Sequence, residues 1–166
     1  MPHRPPRALS ARPILLSLLV AFGALAGCAR LAEPAWDADT VAALEALSGE
    51  TTETFLLIAR TPGAEGRAER SAAYAGLREA AETIAARARA RAPETQRAAA
   101  GRYAVATAGF LGDYRAQLSL LDAHDAERAA LGLGPAGRIV ALRRAAMTDA
   151  LRDALFYERD ALARDR

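Results

Sequence analysis

Apolar residues recur at steps of three and four along most of the chain after residue 36, which is the spacing of one face of an α-helix. Three breakers separate the apolar stripes: Thr61-Pro62-Gly63, Pro93 and Gly132-Leu133-Gly134-Pro135. No segment alternates apolar and polar residues with period two, as a half-buried strand would. The pattern therefore predicts an all-α protein with four helices.

The first helix is expected to begin after Asp37, a good N-cap residue. Trp36 and Val41 stand at the spacing of a hydrophobic staple across that cap, although Trp36 could instead rest among lipid headgroups. Ser48-Gly49 and three nearby threonines weaken the helix, so a break or kink near Gly49 stays open beside a continuous helix. The stripe of this helix is Val41, Leu44, Ser48, Thr51, Phe55 and Ile58.

The second helix is predicted from Arg67 to Arg91 and the third from near Glu94, where a polar extension or a bend after Asp122 both stay open. Pro135 suits the first turn of the fourth helix. Short connections make successive helices antiparallel neighbours, so the expected fold is an up-down four-helix bundle. The three stripes are Tyr74, Leu77, Ala81, Ile84 and Ala88; Ala99, Tyr103, Ala106, Phe110, Tyr114, Leu118 and Leu121; and Val140, Met147, Leu151, Leu155 and Leu162.

The start of the chain has a different pattern. Arg4, Arg7 and Arg12 precede an apolar run over residues 14–26, which is shorter than the roughly 20 apolar residues of a membrane-spanning helix. A basic front, a short apolar middle and small residues at its end are typical of a secretory signal peptide. The run ends in Leu25-Ala26-Gly27-Cys28, which contains the only cysteine of the chain.

Leu25-Ala26-Gly27-Cys28 resembles the lipobox of bacterial lipoproteins, a leucine and two small residues before a cysteine. The resemblance implies signal cleavage between Gly27 and Cys28, a diacylglyceryl group on the sulfur of Cys28, and often an acyl chain on its new amino terminus. Residues 1–27 would then be removed, residues 28–36 would form a lipidated tether, and residues 37–166 would form the helical domain. A plain signal peptide with an incidental cysteine and an uncleaved anchor are the alternatives.

The residue after the cysteine bears on sorting. In lipoproteins of enteric bacteria, aspartate at this position favours retention in the inner membrane, and this chain has Ala29. The resemblance therefore implies the periplasmic face of the outer membrane, with inner-membrane retention as the alternative.

The charge balance changes once the leader is removed. The precursor has 22 basic and 20 acidic residues, and loss of three arginines with residues 1–27 leaves a nearly neutral chain. This gives no support for nucleic-acid binding, which needs a clustered basic surface. All the basic residues are arginine, and the chain ends in Arg166. A covalent peptidoglycan link through a carboxy-terminal lysine, known in one type of lipoprotein, is therefore not expected.

Residues 132–137 match G-x-G-x-x-G, but a helical pattern precedes them and a proline stands within them. A dinucleotide site needs a strand before this motif. We therefore interpret the stretch as a helix connection and predict no cofactor.

His124, the single histidine of the mature chain, stands among carboxylates, and a weak metal site of Asp122, His124 and Glu127 is one hypothesis. Diiron bundles need Glu-x-x-His pairs, and Leu121 occupies the position three before His124. The preferred interpretation is a solvated polar end of the third helix, with no metal site. The sequence offers few residues for nucleophilic catalysis, because the one thiol is expected to be acylated and no G-x-S-x-G elbow exists.

Two further groups have simpler structural explanations. Arg87, Arg89 and Arg91 surround a helix end, where solvation is expected. The carboxylates that alternate with arginine in the fourth helix are expected to be solvated or paired on an exposed face. Tyr103, Phe110 and Tyr114 are expected to be core residues and not the lining of a ligand cavity.

The sequence thus predicts a lipid-anchored helical bundle that faces the periplasm and acts as a binding or scaffolding component of the cell envelope, with a protein partner and no catalytic site. The alternative is a ligand- or metal-binding bundle, with or without enzymatic activity, that has Asp122, His124 and Glu127 near its site.

Overall fold

The computed structural model describes residues 37–95 and 99–164, with the side chains of this part except those of residues 92–102 and 161–164. Four helices account for most of it: α1 (Ala38–Arg60), α2 (Arg67–Thr95), α3 (Ala99–Ala130) and α4 (Gly137–Arg164). A short 3-10 turn, Ala64–Gly66, precedes α2. No strand occurs among these residues. The predicted signal peptide, the lipobox with Gly27 and Cys28, and the tether over residues 28–36 lie outside the described residues.

The helices form an antiparallel bundle in which each packs on its neighbours in sequence and α4 returns to α1. Cross-links between helices show the direction. Between α2 and α3, Arg70 pairs with Asp125 near one end of the bundle and Glu82 pairs with Arg115 farther along. Between α1 and α4, Arg159 pairs with Glu45. Residue numbers that rise on one helix as they fall on the other confirm the predicted up-down bundle.

The predicted apolar stripes form the core. Every residue of the α2 stripe is buried, and Tyr114, Leu118 and Leu121 on α3 are fully buried. Tyr103 and Phe110 are half-buried and pack on Tyr157 of α4 with ring centroids 6.0 and 5.3 Å apart. Of the aromatic stripe, Tyr114 is therefore core as expected, whereas Tyr103 and Phe110 flank the core, in which Leu111 is fully buried.

Helix α1 is continuous through the segment where a break was considered. Asp37 caps it as predicted, because its carboxylate accepts a hydrogen bond from the backbone N–H of Asp39. The hydroxyls of Thr51, Thr52 and Thr54 donate to backbone carbonyls four residues earlier. These bonds give each hydroxyl a partner within the helix, so the three threonines do not end it.

Three predicted boundaries were wrong: the end of the second helix and the starts of the third and the fourth. Helix α2 continues past Arg91 and Pro93 to Thr95, so Glu94 belongs to α2, and α3 is described from Ala99. The polar extension of α3 is helical to Ala130. Pro135 lies before α4 and not in its first turn, because the first bonds of α4 run to the carbonyl of Ala136. Residues 131–136 form the loop predicted from the glycine-rich motif.

Gly49 provides a test of the continuous α1. It is exposed in the helix interior, and a Cβ added there meets nothing within 4 Å. We expect Gly49→Ala to raise the free energy of unfolding by about 0.5–1 kcal/mol, because alanine has less backbone freedom to lose. Urea unfolding measures this difference. Gly66→Ala is the control and should destabilise, because its Cβ would collide with Thr61 and the guanidinium of Arg70. Destabilisation by Gly49→Ala would indicate a local break.

Candidate functional site

The polar stretch near the end of α3 contains a buried ion pair and is not simply solvated, as the sequence suggested. Arg70 of α2 donates from Nε and Nη2 to the two carboxylate oxygens of Asp125, at 2.8 and 2.7 Å. Both side chains are fully buried. Arg70 Nη1 also donates to the backbone carbonyls of Thr61 and Gly63, so the same guanidinium ties the α1–α2 connection to the bundle.

Charge and burial act together on this pair. The hydrogen bond to Asp125 holds the pKa of Arg70 above its ordinary value, despite the opposing effect of burial. Tyr74 lies beside it, with its hydroxyl donating to Asp125 at 3.4 Å. Burial, and then the charge of Asp125, raises the pKa of Tyr74 well above 10.0. The site therefore holds a charged guanidinium beside a neutral phenol.

The residues of the metal hypothesis point to different partners. Asp122 is half-buried and accepts from Arg67 at 2.6 Å and from Arg78 at 3.0 Å. His124 Nε2 accepts from the backbone N–H of Ala136 at 3.2 Å, and Glu127 is exposed. Among the described residues, no group of three or more His, Cys, Asp or Glu side chains is placed to hold a metal ion.

At this end of the bundle, side chains of α3 form hydrogen bonds that position the α3–α4 loop. His124 holds the start of α4, and Arg128 Nε donates to the carbonyl of Gly134 at 2.6 Å. Gly134 in turn lies so close to the backbone of Pro62 that a Cβ would collide with it. Since each oxygen of Asp122 and Asp125 already accepts from an arginine, the arrangement positions the chain and offers no free carboxylate to a substrate.

A second buried acid was also missed. Glu158 of α4 is 1% exposed and accepts from Arg91 of α2 at 2.8 and 3.3 Å. Arg89 pairs with Glu82 at 3.1 Å, and Arg87 lies 3.9 Å from Asp39. The expected solvation of these arginines and of the α4 acids is therefore wrong for Arg91 and Glu158, which link two helices across the bundle.

The seam between α1 and α4 is less closely packed than the α2–α3 and α3–α4 contacts, and it leaves two depressions. The first, which we call the Phe156 groove, has a volume of about 540 Å³. The second, the Arg144 groove, has a volume of about 360 Å³. The Phe156 groove is lined by Ser48, Thr148, Leu151, Arg152, Leu155, Phe156, Arg159 and Asp160. The Arg144 groove is lined by Phe55, Ile58, Ala59, Pro62, Pro135, Gly137, Val140, Ala141 and Arg144.

The two grooves differ in charge. In the Phe156 groove, Arg152 pairs with Asp149 at 2.9 Å and with Asp153 at 3.5 Å, and Arg159 pairs with Glu45. In the Arg144 groove, Arg144 lies over the ring of Phe55, 5.8 Å from its centroid. Within the part of the chain that the structure describes, no carboxylate pairs with Arg144. The Arg144 groove thus combines apolar walls with one uncompensated positive charge.

A signal for this groove exists in the sequence. From Gly137 to Thr148, α4 carries Arg138, Arg143 and Arg144 and no acid. The sequence assigns Phe55, Ile58 and Val140 to core stripes. How much of each side chain lines a groove depends on how closely α1 approaches α4. That distance is a property of the packed bundle and not of any one stripe.

Comparison of the chain with protein-family models, curated proteins and solved structures finds no match. The helices of the described residues include none that is long and apolar enough to cross a membrane.

Proposed function

We propose that the mature chain is a lipid-anchored lipoprotein whose helical bundle faces the periplasm and serves as a binding or scaffolding component of the cell envelope. The observation that carries this proposal is Leu25-Ala26-Gly27-Cys28 at the end of a short apolar run behind three arginines. Acyl chains on Cys28 give an anchor without a membrane-spanning helix, since each buried CH₂ contributes about 0.8 kcal/mol and two chains suffice for stable attachment.

The location follows from the same residues. Ala29 after the cysteine favours the outer membrane. Between Cys28 and the N-cap Asp37 lie eight residues, which reach at most about 30 Å when extended at 3.3–3.6 Å per residue. The bundle would therefore remain close to the lipid surface.

The bundle itself supports a binding role more than a catalytic one. Its clustered carboxylates are engaged by arginines, whereas its α1–α4 seam presents open apolar surface. Exposed apolar patches on a soluble surface commonly mark interaction sites. Phe156 of α4, which lines one of these grooves, is 60% exposed.

Metabolic labelling with an alkyne-bearing palmitate tests the anchor. We expect the full chain, expressed in a bacterium with its own lipoprotein machinery, to incorporate the label and to fractionate with membranes. Cys28→Ser should lose the label entirely, because the chain contains no other thiol to be acylated.

A thiol without the lipobox is the matched control. Cys28→Ser combined with Ser119→Cys places the thiol at an exposed position of α3 and should incorporate no label. The proposal fails if the wild-type chain is unlabelled, or if mature protein is released with its leader cut elsewhere and Cys28 unmodified.

A further inference from the structure

We propose that the Arg144 groove binds a single-chain amphiphile with a carboxylate head, of the fatty-acid class. This inference rests on the proposed binding role of the bundle and names the ligand class of one of its surfaces. Its volume, about 360 Å³, lies in the range of small-molecule sites.

The walls of the groove select a hydrocarbon. Phe55, Ile58, Pro62, Pro135 and Val140 surround it, and Arg144 is the one polar side chain of the lining. A sugar, nucleotide or polar peptide would bury hydroxyls or amides against these walls without hydrogen-bond partners, which disfavours their binding. A methylene chain has no polar group to desolvate, and its entry removes apolar surface from water.

The charge at the groove selects one acid. Arg144 packs on Phe55 at the edge of the apolar walls and has no carboxylate partner among the described residues. A guanidinium fork matches a carboxylate bidentately, and one negative charge would balance it.

Other occupants fit less well. In a symmetric dimer formed through the groove, the Arg144 side chains of the two copies would approach each other, and like charges would repel. An amphipathic helix needs anchors over several turns. The groove runs along α4 only from Gly137 to Arg144, about 10 Å at 1.5 Å per residue. A single chain with one charged end matches the charge and needs no anchors over several turns.

Photolabelling in isolated membranes, with the full chain present and no coenzyme A added, tests the inference. The probes are dodecanoic acid and dodecanol, each carrying a diazirine and an alkyne, and the labelled residues are located by mass spectrometry. We expect the acid probe to label residues 55–62 and 135–144, and to be displaced by unlabelled dodecanoic acid.

Two variants separate charge from shape. Arg144→Gln should reduce labelling by the acid probe about fivefold, equivalent to about 1 kcal/mol, and leave the weaker labelling by the alcohol unchanged. Ala141→Phe, at an exposed wall position, should fill the groove and reduce labelling by both probes. Arg152→Gln is the control on the same helix and should leave both unchanged, because Arg152 is already paired with acids outside this groove.

Labelling elsewhere, equal effects of Arg144→Gln and Arg152→Gln, or crosslinks that join two copies through residues 135–144 would each overturn the inference. Palmitate on Cys28 is measured in the same samples. If Cys28 is acylated and the groove is unlabelled, the fatty-acid site is wrong and the anchor stands.

Discussion

Asp125→Asn is expected to lower the free energy of unfolding by about 3–5 kcal/mol, because it removes the carboxylate that pairs with Arg70 in a fully buried site. The guanidinium cannot escape by losing its proton, since arginine stays charged under all ordinary conditions. It would keep the carbonyls of Thr61 and Gly63 as acceptors, and these carry no net charge.

Chemical unfolding of the purified chain measures this loss. Asp149→Asn is the matched control, because Asp149 forms an exposed pair with Arg152 on α4 and such pairs contribute under about 1 kcal/mol. Equal losses for the two variants would show that Arg70 and Asp125 are hydrated. Arg70→Met combined with Asp125→Leu should recover most of the lost stability, since apolar residues of similar volume replace buried pairs well.

The buried charges lie in line with the predicted apolar stripes. Arg70 lies four residues before Tyr74, so it continues the apolar face of α2, and Asp125 lies four residues after Leu121 on α3. Glu158 lies seven residues after Leu151 on α4. Arg70 and Asp125 therefore occupy the next position beyond a predicted core stripe, and Glu158 stands within one, between Leu155 and Leu162. Extending the stripes by one helical step would place these charges inward, but their partners depend on which turns of two antiparallel helices meet.

Helix number and direction could be predicted because glycine and proline separate the stripes, and because short connections allow only antiparallel neighbours. The ends of the helices were harder to predict from the sequence. Pro93 lies within α2 and does not end it. The α3–α4 loop turns at Gly132, whose φ of 73° lies in the left-handed region that glycine tolerates best. The position of this loop could be predicted, because Gly132 is a residue type that tolerates the turn.

The candidate groove could be predicted only in part, for the same physical reason. Periodicity identifies Phe55, Ile58 and Val140 as apolar, but it does not say whether a neighbouring helix covers them fully. Arg144 follows Val140 by one turn, so the sequence places a cation beside apolar residues. Whether that cation has a partner depends on the opposing face of α1, which contributes Phe55 and no acid to the groove lining.

Alkali is expected to unfold the bundle through its buried tyrosines. The hydroxyl of Tyr114 is 2.7 Å from Thr51 Oγ1 in the core between α3 and α1. Burial raises the pKa of Tyr114 from 10.0 to about 12, although the bond to Thr51 opposes this effect. Burial and then the charge of Asp125 raise the pKa of Tyr74 as well.

The direction of the effect follows from these shifts. The folded chain holds both phenols neutral above the pH at which the unfolded chain ionises them. Their contribution to stability is therefore complete below pH 10 and is lost as the pH rises from 10 toward 12. For Tyr114 the loss amounts to roughly 2–3 kcal/mol, since one pKa unit corresponds to about 1.4 kcal/mol. Tyr74 adds to it in the same direction.

Unfolding in urea at a series of pH values between 8 and 12 gives the slope directly, and the ultraviolet absorbance of tyrosinate reports the ionisation. Tyr114→Phe should cost about 1 kcal/mol at neutral pH, because Thr51 keeps its bond to the carbonyl of Leu47 and little is left unpaired. Above pH 10 the variant should lose stability less steeply than the wild type, and the two curves should cross, because the wild type loses roughly 2–3 kcal/mol that the variant does not. Parallel curves would mean that Tyr114 ionises in the folded chain as readily as in water. The phenol would then be hydrated, and the α1–α3 contact would be open to solvent around Thr51.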